Sequence, residues 1–77
     1  MIFSHDPEAD AIYITIGNRQ YDHGTDLDEE RRIDYDADGN VMGIELLCVS
    51  HGVITDNLPF RAEIESYLED EGIKIFA

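Results

Sequence analysis

The run from Val41 to Val49 constrains the fold more than any other part of the chain. In an extended backbone Met42, Ile44, Leu46 and Cys48 point to one side, and Val41, Leu47 and Val49 to the other. A strand that is apolar on both faces needs cover on both, so 41–49 is expected to be a central strand. Two shorter runs alternate in the same way. In residues 11–16, Ile12, Ile14 and Ile16 share one face and Tyr13 and Thr15 the other; in 31–36, Ile33 and Tyr35 share a face. Period 2 in β-branched and aromatic residues predicts half-buried strands. Turn chemistry separates them: His5-Asp6-Pro7-Glu8-Ala9-Asp10, Gly17-Asn18, and Asp36-Ala37-Asp38-Gly39-Asn40, where Gly39 can supply a positive φ. Met1 to Phe3 can form a short first strand. Residues 19–30 show no readable period and form the most acidic loop.

After Ser50-His51-Gly52 the period changes. Phe60, Ile64, Tyr67 and Leu68 follow helical spacing, which predicts a helix over 59–70 with Asp56 or Asn57 as its cap, Pro59 in the first turn and Gly72 as its stop. Residues 73–76 then add a final strand or dock on the sheet. The expected fold is α+β: a small antiparallel β-meander with one C-terminal helix packed on a face, with residues 1–77 forming a single domain. Ile12, Ile14, Ile44, Leu46 and Leu68 are the expected core. A chain of 77 residues buries only about 60% of its exposable surface, and a thin core of that kind favours a symmetric contact, so a homodimer is expected.

Charge narrows the function. Eighteen Asp and Glu face five Lys and Arg, for a formal net charge of −13. Nucleic acid and anionic membranes repel such a surface, whereas a basic protein or a hard cation is attracted; the plainer reading is that acidity only maintains solubility. Two acidic regions are the candidate partner-binding residues: Asp26, Asp28, Glu29 and Glu30 in the loop, and Glu69, Asp70 and Glu71 at the end of the helix. The single cysteine, Cys48, reads as a small buried hydrophobe in a reducing compartment. No apolar stretch has the length of a membrane span, and the N-terminus lacks the pattern of a signal peptide, so a cytoplasmic location is expected.

Asp34, Asp36 and Asp38, with Gly39 and Glu45, match the spacing of a calcium loop, in which hard oxygens and a glycine wrap one cation. The flanks alternate as strands rather than as helices, so the expected structure is a polar hairpin turn with no metal. A cation (calcium) site at Asp34, Asp36 and Asp38 is the alternative. His5, His23 and His51 match no zinc spacing, Ser4, Ser50 and Ser66 lie in no nucleophile motif, and the glycines form no phosphate loop. The chain is therefore expected to be a non-enzymatic protein-interaction module without catalytic residues or cofactor.

Three segments, Asp6-Pro7-Glu8-Ala9-Asp10-Ala11-Ile12-Tyr13-Ile14, Ile33-Asp34-Tyr35-Asp36-Ala37-Asp38-Gly39-Asn40 and Gly43-Ile44-Glu45-Leu46-Leu47, together resemble the YuzE-like family of small bacterial proteins, a domain of unknown function. The resemblance covers roughly residues 1–50. It implies a small α+β fold with a β-meander and supports the hairpin reading of 34–45. It assigns no activity and no functional residues. Some members of that family resemble antitoxins encoded beside small basic proteins, which implies an antitoxin-like partner of a basic protein.

Overall fold

A computed structural model describes residues 1–76, and these divide into two compact units, 1–47 and 48–76. The first unit is a five-stranded antiparallel sheet built from β1 (Ile2–Asp6), β2 (Ala11–Thr15), β3 (His23–Asp26), β4 (Arg31–Tyr35) and β5 (Val41–Leu47). Its strand order is β1-β2-β5-β4-β3. The expected meander is present as β3-β4-β5, and the β1-β2 hairpin joins it by pairing β2 with β5. Strand β5 does take the central place, but apolar cover lies on one of its faces only: the other carries Gly43 and Glu45, and its Leu47 is exposed.

Register explains the core of this unit. Ile12 lies opposite Leu46, Ile14 opposite Ile44, and Ile33 opposite Ile44 on the other flank. These five side chains occupy one face of three adjacent strands, and all are buried. The β1-β2 turn is held by Asp6, whose carboxylate accepts the N–H groups of Glu8 and Ala9 at 3.1 and 3.2 Å. The β4-β5 turn has Gly39 at φ +84°, as its sequence predicts. The strand β3 lies inside the stretch whose sequence shows no period. His23-Gly24-Thr25-Asp26 has no apolar residue to mark a face, and as an edge strand it needs none.

Strand β5 ends at Leu47, two residues before the sequence pattern does. Cys48 takes a left-handed backbone, φ 56°, and Val49–His51 forms a 3-10 turn, which carries Val49 out of the strand while still burying it. In the second unit, β6 (Val53–Ile54), α1 (Arg61–Asp70) and β7 (Ile75–Phe76) make a strand–helix–strand unit whose two strands are parallel, which requires a crossover such as α1. Ile64 and Leu68 are fully buried on the helix. Phe60, placed by its spacing on the same face, instead adopts φ 57° as the N-cap and is 43% exposed. The helix thus starts at Arg61, and Asp56 reaches Arg61 as an ion pair rather than capping. Gly72 ends the helix as expected: the amides of Gly72 and Ile73 return to the carbonyls of Glu69 and Leu68, the two bonds of a Schellman motif.

Candidate functional site

The polar face of the sheet carries the most organised cluster in the chain. Alternation places Tyr13, Arg32, Asp34, Gly43, Glu45, Gly24 and Asp26 on the side opposite the isoleucines. Asp34 sits opposite a glycine on each neighbouring strand, Gly43 on β5 and Gly24 on β3. Those glycines leave room for two large side chains to lie flat. The Tyr13 ring covers Gly43, where an added Cβ would fall 2.6 Å from Cζ and overlap the hydroxyl. The Arg32 guanidinium covers Gly24 in the same way. Tyr13 then donates its hydroxyl proton to Asp34 Oδ2 at 2.7 Å, and Arg32 Nε donates to Asp34 Oδ1 at 3.1 Å. Arg32 also donates to Asp26 Oδ1 at 3.2 Å and to the Tyr21 hydroxyl at 3.1 Å.

Electrostatics follow from this packing. Burial, reinforced by the hydrogen bond to Asp34 and by the charges of Asp34 and Glu45, pushes the Tyr13 phenol up from 10.0 to about 12. Tyr13 is therefore a neutral donor at physiological pH. The guanidinium of Arg32 is held even more firmly protonated by its bonds to Tyr21, Asp34 and Asp26. A phenol and a guanidinium that both donate to one buried carboxylate form a structural clamp across four strands.

The calcium-like residues do not converge. Asp34 belongs to the clamp. Asp36 turns into the hairpin loop, where its carboxylate accepts the amides of Asp38 and Asn40 at 3.0 and 2.8 Å, the Asn40 side-chain amide at 3.3 Å and Arg19 at 3.0 Å. The Asn40 amide, aided by Arg19, holds that carboxyl below the usual carboxylate range. Asp38 is exposed, and Glu45 lies up strand β5 opposite Arg32. Among the described residues no group of three or more His, Cys, Asp or Glu could hold a metal ion.

The acidic loop is the tip of the β3-β4 hairpin. Leu27 N–H closes it onto the Arg31 carbonyl at 2.8 Å, and Asp28 braces it by accepting Glu30 N–H and Arg31 Nε, each at 2.9 Å. Burial opposes ionisation of Asp28, but these bonds outweigh it and hold its carboxyl low. Asp26 is bound by Arg32. Glu29 and Glu30 are exposed, and neither carboxylate is ion-paired among the described residues. The tip therefore has two acids fixed by arginine and two presented outward. In the second unit Glu69, Asp70 and Glu71 are exposed at the end of α1, with Glu71 accepting the Tyr67 hydroxyl at 3.3 Å.

A family model described as a protein of unknown function, DUF2283, matches residues 3–50, more than half of the chain. The chain belongs to the DUF2283 family. The DUF2283 segment contains the five-stranded sheet save Ile2 at the start of β1, the clamp and the acidic hairpin tip, and stops before α1 and its acidic end. No curated protein and no solved structure matches the chain.

Of the clamp, only Asp26 and Asp34 are among the sequence-based candidates, as partner-binding and cation-site residues; Tyr13, Arg32 and their joint role are not. Its visible traces were small: Arg32 and Asp34 stand two apart, and Gly43 interrupts an apolar strand, a position where a neighbouring group often approaches closely. The partners, Tyr13 and Tyr21, are far away in sequence, and only register brings Tyr13 into place.

Proposed function

We propose that this DUF2283 protein is a non-enzymatic interaction module that meets a basic protein through the tip of its β3-β4 hairpin. One observation carries the reading: the chain's basic side chains are already engaged within it. Arg19 pairs with Asp36, Arg31 with Asp28, Arg32 with Asp34 and Asp26, and Arg61 with Asp56 and Glu65. Lys74 lies 4.9 Å from the centre of the Phe76 ring. Among the described residues no ion pair joins Glu29 or Glu30 to a basic side chain, so a basic partner can supply the compensating charge. The acids at the end of α1 provide a second contact for the same partner. The likeness to the YuzE-like proteins adds the finer reading that the partner is a toxin-like basic protein and this chain its antitoxin, working in the cytoplasm. The tight internal use of Asp34 and Asp36 supports binding over catalysis.

The test is retention of proteins from the host on the immobilised chain at low salt. A basic protein that is retained, released by salt and rendered harmless to cells by co-expression supports the proposal. Retention of acidic proteins only, or of none, overturns it.

A further inference from the structure

We infer that the free edge of β3 is a docking strand for an extended basic segment of the partner, which would pair with it as a sixth strand. This deepens the proposed function and rests on it. The backbone sets the geometry. Leu27 N–H bonds to Arg31 O, and Leu47 N–H to Glu30 O. In an antiparallel ladder bonded pairs alternate. Thr25 and His23 therefore turn their amides towards β4, while Gly24 and Asp26 turn their N–H and C=O groups to the open side. Among the described residues no strand occupies that side. An edge of this kind is usually blunted by Lys, Pro or a bulge; His23-Gly24-Thr25-Asp26 has neither Lys nor Pro, and the one irregularity lies at its start, where Asp22 N–H bonds the carbonyl of Tyr35, the residue opposite His23, and leaves Gly24 to Asp26 regular.

Charge selects both the edge and its occupant. The stretch from Asp22 to Glu30 contains Asp22, Asp26, Asp28, Glu29 and Glu30 and no Lys or Arg. The arginines that follow are bound to Asp28, Asp34 and Asp26. At the opposite edge, β1 carries one acid, Asp6, which is committed to its own turn. A strand added to β3 would gain main-chain bonds for affinity, and lysine or arginine at alternate positions would face Asp26 as a cross-strand pair. Asp26 is well placed for this: its side chain is 67% exposed although one oxygen is held by Arg32.

The test uses the full chain and a short synthetic peptide alternating lysine and valine, at low salt. Amide hydrogen exchange is read by NMR at Gly24, Thr25 and Asp26. Two further peptides are N-methylated at alternate backbone nitrogens, one blocking each edge of the added strand. Pairing predicts exchange slowed by about tenfold or more at Gly24 and Asp26, with less change at Thr25. It also predicts that one methylated peptide binds and the other does not. Equal binding by both methylated peptides would overturn the edge pairing while leaving the acidic-surface reading intact. No binding of the lysine peptide would remove both. Protection of Gly24 and Asp26 that grows with protein concentration, without peptide, would identify a second copy as the occupant and overturn the inference.

Discussion

At the scale of single residues, Tyr13 links sequence, packing and charge most tightly. Its hydroxyl occupies the space Gly43 leaves open and donates to a carboxylate that has few alternatives. Gly43→Ala forces the ring off the strand, and an overpacking cost of about 1–3 kcal/mol is expected in denaturant unfolding. Tyr13→Phe keeps the ring but removes the donor to Asp34. In the native protein Tyr13 is expected to titrate near pH 12, a transition the Phe variant lacks in ultraviolet titration. The sign for stability follows. The folded phenol has the higher pKa, so its contribution is intact below about pH 10 and is lost as pH rises towards the folded value. Asp28, Asp36 and Glu65 have the opposite sign. Thr55 and Arg61 hold Glu65 low, as hydrogen bonds hold the two aspartates. Their contribution is present above the ordinary carboxylate range and fades as pH falls through their depressed values. Asp36→Ala should therefore weaken the protein and flatten the acid limb of its stability curve.

At the scale of elements, what could be read from sequence depended on whether a pattern recorded burial. Strands β2, β4 and β5 bury Ile12 and Ile14, Ile33, and Ile44 and Leu46 on one face, nearly free of solvent, so their period was legible. Leu46→Ala removes a side chain from the centre of that layer and is expected to cost about 2–5 kcal/mol, enough to threaten a domain of this size. Edge strand β3 buries nothing apolar and left no period to read. The helix showed through Ile64 and Leu68, but its start did not, because a left-handed Phe60 is set by the approach of the chain and not by side-chain type. The acidic tip was visible as composition. The division of its acids into two held by arginine and two presented outward was not, since it depends on which strand Arg31 and Arg32 occupy. The clamp was equally hidden, because register alone brings Tyr13 to Asp34.

For the whole molecule, charge and apolar area make competing demands, and salt separates them. Self-association through apolar surface brings two chains of like charge together, so added salt should strengthen any homodimer by screening their repulsion. Strand β5 offers no edge for such a contact, because β2 and β4 occupy both sides of it. Sedimentation at rising salt should show the dimer fraction constant or increasing, and a monomer at all concentrations would dismiss the dimer. The complex with a basic partner should respond in the opposite direction. Complementary charge acts mainly on the association rate and is screened over about 8–10 Å at physiological salt. The most direct measurement is the rate of association between this chain and the proposed basic partner as a function of salt, compared with the variant carrying Glu29→Lys and Glu30→Lys. The native rate should fall steeply with salt, and the variant should associate more slowly with a flatter dependence and a nearly unchanged dissociation rate. Native and variant rates that coincide at every salt concentration would contradict the account.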